Sequence, residues 1–162
     1  MEINREDFFS FCQNVNSILN SKKINNLIQQ SPVRSVEFAL DTHIQEAWAS
    51  IDLIINNLDR QNILEVGGGI GLVNCYLQTK DLKIVSLEPS LGGHDHYYQI
   101  GQYLIQETGL NSDNWINEPI EKYSSSVKYD LIFSNNVLEH LSNLDQSFLS
   151  MRNLLSQNSG AV

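Results

Sequence analysis

An acid and four closely spaced glycines form the stretch of this sequence best suited to hold a ligand. Ile63–Leu72 reads Ile-Leu-Glu-Val-Gly-Gly-Gly-Ile-Gly-Leu, and its apolar beginning is typical of a buried parallel strand. The glycines allow positive φ angles and close approach of the backbone to a ligand. Ile70, Val73 and Leu77 then recur at helical spacing. Doubly wound α/β sheets bind nucleotides at such a strand-to-helix loop, so the stretch predicts a nucleotide-type site.

A second acid is predicted at the end of the next strand. Lys83–Leu87 has the apolar pattern of a strand buried on both faces, and Glu88 follows it directly, before Pro89. This strand end lies beside the ribose of a nucleotide seated on the first loop, about 20 residues further along the chain. A carboxylate there can accept hydrogen bonds from both ribose hydroxyls, and we predict that role for Glu88.

The glycine spacing separates two cofactor classes. The dinucleotide fingerprint Gly-x-Gly-x-x-Gly, counted from Gly67 and Gly69, requires a third glycine where this chain has Leu72. The chain instead has an acid followed by glycine at every second position: Glu65, Gly67, Gly69 and Gly71. This pattern resembles the first motif of the class I S-adenosylmethionine-dependent methyltransferases, with Gly68 as an additional glycine. The resemblance implies that Glu65 orients the methionine moiety of S-adenosylmethionine, often through water.

The stretch from Tyr129 to Leu141 resembles a second methyltransferase motif, written Tyr/Phe-Asp-x-Ile/Val-x-x-x-x-Val-Leu-Glu-His. The resemblance implies that Asn135 borders the methionine portion of the cofactor. It also implies that Glu139 and His140 lie near the substrate mouth, and we take these two as the catalytic candidates. His140 is either a general base, since its ordinary pKa lies near neutrality, or a residue that shapes the pocket.

No metal site is predicted. Some small-molecule O-methyltransferases of this family bind a divalent metal with Glu-x-x-Glu-His, but Asn136 replaces the first of these acids here, and an amide is a poorer ligand than a carboxylate. The His94-x-His96 pair is also discounted, because residues two apart on a helix point away from each other. His43 and Trp48, on an N-terminal helix, receive no role.

At the adenine contact the sequence departs from the family's pattern. In the family, the segment after the third strand holds the adenine with an acidic side chain and a backbone N–H. The weak strand Asn114–Asn117 is followed by Glu118-Pro119-Ile120, so that proline stands at the usual acidic position. Glu118 or the Ile120 N–H remains as the candidate, and we predict Ile120.

The surrounding elements predict an α/β fold: a Rossmann-like doubly wound parallel sheet with an N-terminal helical cap. Residues 1–59 form the cap, with a helical pattern from Glu6 to Gln30 that breaks near Ser21, and a helix that opens at Ser31-Pro32 and runs towards Leu58. The cap either covers the cleft or is purely structural. Residues 60–162 form the S-adenosylmethionine domain. Ala161 and Val162 are expected to begin a fifth strand, so the sheet is expected to be incomplete at the C-terminus.

Composition excludes several partners. The chain has 162 residues and a formal charge of −9, which suits one domain and argues against duplex DNA or an anionic membrane surface as partner. A small cationic ligand is compatible with it. Cys12 and Cys75 lack metal-ligand spacing and are interpreted as reduced thiols, which favours a cytoplasmic location. No apolar run reaches membrane-spanning length.

The predicted function is methyl transfer from S-adenosylmethionine to a small-molecule acceptor. Two alternatives stay open: an NAD-type dinucleotide-binding module, and a non-catalytic binding or scaffold domain. The sequence identifies neither the acceptor nor the oligomeric state.

Overall fold

The computed structural model describes residues 3–30, 40–57, 62–91 and 95–156. Within these ranges four strands and six α-helices follow one another along the chain. The helices are α1 (Arg5–Leu19), α2 (Lys22–Gln30), α3 (Leu40–Ile54), α4 (Leu72–Thr79), α5 (Asp95–Glu107) and α6 (Leu144–Leu154). The strands are β1 (Asn62–Val66), β2 (Lys83–Leu87), β3 (Trp115–Ile116) and β4 (Leu131–Ser134).

The four strands form one parallel sheet in the order β3-β2-β1-β4. Ile63 of β1 lies opposite Ile84 of β2 and Leu131 of β4, and these three side chains belong to one core with helices α1 to α5. Their neighbours Leu64 and Ile132 point to the other face and pack with α6. Because both faces are covered, the strands are almost continuously apolar, and the predicted α/β fold is confirmed.

The N-terminal helical region is present, and its break lies where the sequence predicted it. The Asn4 side chain caps α1 by accepting from the Asp7 N–H at 2.9 Å. The Ser21 hydroxyl accepts from the Ile24 N–H at 3.4 Å at the start of α2, so the polar residue that ends the first apolar pattern also begins the second helix. The predicted Ser31-Pro32 helix start and the predicted fifth strand at Ala161-Val162 lie outside the described residues.

Two predicted boundaries change, and a short turn follows β4. The helix expected from Ile70 begins at Leu72, because Gly71 is its N-cap and has φ +83°. The third strand is shortened to Trp115–Ile116. The apolar segment after β4 forms a short 3-10 turn at Leu138–His140.

Two observations bear on compartment and environment. Cys12 and Cys75 are both buried free thiols. Among the helices that the structure describes, none combines the length and apolar character needed to cross a bilayer.

Candidate cofactor and substrate site

The glycine loop after β1 is held between β2 and the segment that follows β4. Gly67 has φ +83°, and its N–H donates to the Leu87 carbonyl at 2.8 Å. A Cβ atom on Gly67 would lie 2.1 Å from Cγ2 of Val137. Glycine is therefore required here for two separate reasons, the left-handed backbone and the contact with Val137.

The additional glycine of the motif, Gly68, has a packing explanation that the sequence did not reveal. A Cβ at this position would lie 2.5 Å from the ring of Trp115 in β3. The indole N–H of Trp115 donates to the Tyr98 carbonyl at 2.9 Å, and its ring stacks on that of Tyr98. Trp115 thus supports the loop from below.

The remaining two glycines of the loop have different surroundings. A Cβ on Gly69 would meet nothing within 4 Å, while its N–H donates to Oε2 of Glu88 at 2.7 Å. Gly71 packs against α5, where a Cβ atom on it would lie 3.0 Å from the Gly101 Cα. Gly71 does not line the cavity at the carboxyl ends of the strands. The structure thus gives Gly71 a place in helix packing.

Glu65 is buried in the sheet and is held by a chain of side-chain hydrogen bonds. The Ser86 hydroxyl donates to its Oε2 at 2.5 Å, and Ser86 in turn accepts from the Asn74 side-chain amide at 2.8 Å. Burial raises the pKa of Glu65 from an ordinary 4.5 to about 7, although the Ser86 hydrogen bond favours the charged form. Sequence reasoning did not identify Asn74 and Ser86 as supports for this acid.

Glu88 is 7% exposed and lies directly after β2, as predicted. Burial raises its pKa to about 8; the Gly69 N–H opposes that rise, and the carboxylate of Glu65 adds to it. A carboxylate has about four lone-pair positions, so the hydrogen bond from Gly69 leaves capacity for ligand hydroxyls. The two predicted acids therefore lie close enough to influence each other.

A cavity of about 780 Å³ opens where these strand ends meet the N-terminal helices. This volume lies within the range of small-molecule sites. Nine of the ten predicted site residues line it: Glu65, Gly67, Gly68, Gly69, Glu88, Ile120, Asn135, Glu139 and His140. The sequence therefore predicted one shared cavity from positions near the ends of four strands, while the role of each residue stays a prediction.

Helix α3 forms the wall opposite the strands. Its lining residues share one helix face: Thr42, His43, Glu46, Ala47 and Ser50. The Asn135 side-chain amide donates to the Ser50 hydroxyl at 3.0 Å and to the Glu46 carbonyl at 3.3 Å, which joins α3 to the turn after β4. Of the two α3 residues that received no role, His43 lines the cavity, whereas Trp48 packs against Phe8.

The predicted adenine side is lined by Pro119, Ile120 and Glu121, and Glu118 is not among the lining residues. Ile120 is buried. The Glu121 carboxylate accepts from the hydroxyls of Ser142 and Ser147, at 3.2 and 2.9 Å, and thereby connects this segment to the start of α6. Of the two candidates that the sequence left open, Ile120 is the one at the cavity.

The two catalytic candidates lie at the mouth of the cavity. Glu139 and His140 are both exposed, on the 3-10 turn whose His140 N–H donates to the Val137 carbonyl at 2.8 Å. Asn136, in the left-handed conformation at φ +55°, donates to Oε1 of Glu46 at 3.3 Å. The asparagine at the family's metal-ligand position thus contacts α3.

The cavity is acidic. Five glutamates line it, and the described lining includes neither lysine nor arginine. In the part of the chain that the structure describes, no three His, Cys, Asp or Glu side chains are grouped to hold a metal ion.

Comparison with known proteins identifies the family. A family model described as a methyltransferase domain matches residues 33–162, so the match begins inside the predicted cap. The uncharacterized protein Rv1509 of Mycobacterium tuberculosis is 29% identical over 109 residues, which cover 67% of this chain and 36% of that protein. The ubiquinone biosynthesis O-methyltransferase of Rickettsia conorii is 23% identical over 121 residues, covering 75% of this chain and 40% of that enzyme.

The fold agrees with that match. An S-adenosylmethionine-dependent methyltransferase from Clostridium acetobutylicum superposes with a TM-score of 0.54 at 15% identity, over 94% of this chain and 55% of that one. The chain thus spans less than half the length of the curated relatives it matches. With a family match over most of its length and a sheet of this topology, the chain belongs to the class I S-adenosylmethionine-dependent methyltransferases.

Proposed function

We propose that this chain binds S-adenosylmethionine across the carboxyl ends of β1, β2 and β4 and transfers its methyl group to a small-molecule acceptor. The observation that carries the proposal is the arrangement of Glu65, Glu88 and the glycine loop. The two acids end neighbouring parallel strands, and Gly67–Gly69 lies between them at one cavity. Parallel α/β sheets bind their ligands at this edge.

The residues of the cavity fit such a cofactor. Gly69 leaves open space on its side-chain side, and Glu88 keeps acceptor positions for ribose hydroxyls. We assign Glu65 and Asn135 to the methionine portion and the Ile120 backbone to the adenine. The acidic lining favours a ligand that carries positive charge.

S-adenosylmethionine, when bound, supplies a methyl group on a positively charged sulfonium. The chain's own residues have to position the acceptor and exclude water, and positioning alone can contribute several kcal/mol, roughly 7–11 in the best oriented cases. We place Glu139 and His140 on the acceptor side, where their exposure at the mouth suits contact with an entering substrate.

The dinucleotide alternative is disfavoured by Leu72. This residue is 2% exposed and occupies the position of the third fingerprint glycine, which must be small for close packing of helix on strand. A non-catalytic scaffold domain would have the same cofactor site but would not transfer a methyl group. The location in the cytoplasm, drawn from the reduced cysteines, stays a prediction.

Isothermal titration calorimetry with S-adenosylhomocysteine and, separately, NAD⁺ tests the proposal. We expect S-adenosylhomocysteine to bind and NAD⁺ not to compete with it. Binding of NAD⁺ alone would support the dinucleotide module. Methyl transfer from labelled S-adenosylmethionine to a panel of amines, phenols and carboxylic acids separates an enzyme from a scaffold, because a scaffold labels none of them.

A further inference from the structure

One wall of the cavity combines a carboxylate with two aromatic rings. On α3, Oε2 of Glu46 lies 3.7 Å from Nδ1 of His43. The His43 ring meets that of Tyr97, from α5, edge to face at a centroid distance of 5.2 Å. All three residues line the cavity into which Glu65 and Glu88 also open.

Neighbouring groups leave the charge of this wall negative. Burial and, to a smaller extent, the nearby His96 together lower the pKa of His43 to about 4, so the imidazole is neutral near pH 7 and does not balance Glu46. Burial raises the pKa of Tyr97, as do the carboxylates of Glu46 and Glu88, so its side chain stays a neutral phenol. The neutral amide of Asn136 donates to Oε1 of Glu46 at 3.3 Å, a contact that adds no positive charge.

We infer that the methyl acceptor carries an amine that is protonated in solution, and that Glu46 is the residue that selects it. The inference rests on the proposed function. An ammonium group would be attracted in two ways here: the carboxylate accepts charge-assisted hydrogen bonds from it, and the quadrupoles of the neutral aromatic rings attract its positive charge. The side chain of Glu46 is 44% exposed, so it remains accessible from the cavity.

Other acceptor classes gain less from this wall. A carboxylic acid or phosphate would enter ionised, facing the carboxylates of Glu46, Glu121 and Glu139 with no lysine or arginine in the described lining. A neutral alcohol or phenol would form only an ordinary hydrogen bond with Glu46. An ammonium must lose one proton before its nitrogen can accept a methyl group, and the Glu46 carboxylate would take that proton and release it to solvent.

The test compares three probes that share one ring and differ in charge. The full chain, saturated with S-adenosylhomocysteine, is titrated with benzylamine, benzyl alcohol and benzoate. We expect benzylamine to bind about tenfold more tightly than benzyl alcohol, since a charge-assisted contact is roughly twice as strong as a neutral one and the rings add to it. Benzoate should bind most weakly.

Two variants locate the preference. Glu46→Gln keeps the side-chain length and can still accept from Asn136, and it should remove the preference for benzylamine. Glu107→Gln removes one exposed carboxylate at the far end of α5, outside the cavity, and should keep the preference. Thermal unfolding of each variant reports whether it is folded. If Glu46→Gln does not fold, the three probe affinities of the unmodified chain still test the preference for an amine.

The outcomes separate the two proposals. Failure of S-adenosylhomocysteine to bind would contradict the proposed function. Binding of S-adenosylhomocysteine with equal or reversed affinities for the three probes, including no measurable binding of any, would overturn the amine inference alone. Loss of S-adenosylhomocysteine affinity in Glu46→Gln would also overturn it, because Glu46 would then belong to the cofactor's own ammonium group.

Discussion

Glu65 and Glu88 are two buried acids whose cost of burial is only partly offset by the hydrogen bonds they accept. Glu65 accepts from the Ser86 hydroxyl, and Glu88 accepts from the Gly69 N–H. Their raised pKa values mean that near neutral pH Glu88 is mostly protonated and Glu65 is divided between its two forms. Perturbed acids of this kind are concentrated at functional sites, and ligand hydroxyls that donate to them would stabilise the charged forms.

The first prediction compares two glutamates of the cavity. Glu88→Gln should lower the affinity for S-adenosylhomocysteine by about tenfold or more at pH 8.5, because each hydrogen bond to a carboxylate contributes roughly 1.5–3 kcal/mol. That pH lies above the Glu88 pKa of about 8, so the unmodified side chain is ionised. Glu139→Gln, at an exposed position, should change it by less than about twofold. Calorimetry measures the affinity of both variants for S-adenosylhomocysteine. Equal losses of affinity would contradict the assignment of Glu88 to the ribose.

At the scale of single elements, the glycine loop is fixed by side chains from distant parts of the chain. Val137 lies over Gly67 and Trp115 lies against Gly68. The strand after the loop contributes the Leu87 carbonyl, which accepts from both glycine N–H groups, at 2.8 and 3.0 Å. These contacts hold the loop in one shape without a ligand, and a loop that is already ordered lowers the entropy that binding must overcome.

Replacing Gly67 and Gly69 separately distinguishes the cost of a left-handed backbone from the cost of crowding against Val137. Gly67→Ala should lower the free energy of unfolding by about 2–5 kcal/mol, the sum of a left-handed backbone cost of roughly 1–2 and an overpacking cost of roughly 1–3 against Val137. Gly69→Ala, at φ +56° with open space around its Cβ position, should incur only the backbone cost. Urea denaturation with comparison of m-values measures both. A Gly69→Ala variant as unstable as Gly67→Ala would show that Val137 gives way.

The contact between α3 and the turn after β4 is a second element-scale feature. Ser50 is 85 residues from Asn135 in sequence, and their side chains join at 3.0 Å. A double-mutant cycle with Ser50→Ala and Asn135→Ala should give a coupling energy of about 0.5–1.5 kcal/mol, as expected for one intramolecular hydrogen bond. As a control, the same cycle with Ser50→Ala and the exposed Asn153→Ala should show no coupling. A coupling energy of zero between Ser50 and Asn135 would mean that the two elements are joined by apolar packing alone.

The sequence predicted the strands and their end residues well because local signals determine them. Parallel buried strands are continuous apolar runs, and the residues that follow them must share one edge of the sheet. The sequence left open whether the N-terminal helices cover the cleft, because helical periodicity identifies an apolar face but not the partner of the polar one. In the structure, residues of α3 line the cavity. Gly71 was expected at the ligand, whereas its neighbour is Gly101, which no motif links to it. The same holds for Trp115 beneath Gly68.

For the whole molecule, the buried acids connect folding stability to pH. The ordinary pKa of both groups is 4.5, and in the folded chain the values are about 7 for Glu65 and about 8 for Glu88. At pH values between the ordinary and the folded pKa, the two carboxyl groups are still protonated in the folded state but have lost their protons in the unfolded state. The contribution of these two groups to the free energy of unfolding is therefore fully present below the ordinary value and is lost as pH rises through the two folded values. The formal charge of −9 adds repulsion in the same direction.

We expect the urea midpoint to be lower at pH 8.5 than at pH 6, with an unchanged m-value. Glu88→Gln carries no proton that can dissociate in this range, so its midpoint should vary less with pH. Circular dichroism at a series of pH values gives both curves. A midpoint that rises from pH 6 to pH 8.5 would show that the two carboxylates are ionised in the folded chain.

Trp115 gives this chain an optical property. Its indole is buried, stacks on Tyr98 and touches Gly68 of the loop, whereas the other tryptophan, Trp48, lies beside Phe8 on the far side of α3. In a Trp48→Phe variant, all indole fluorescence would come from the floor of the loop. Its emission wavelength and lifetime would then follow the glycine loop in real time, so ligand arrival and departure become visible by stopped-flow without an attached dye.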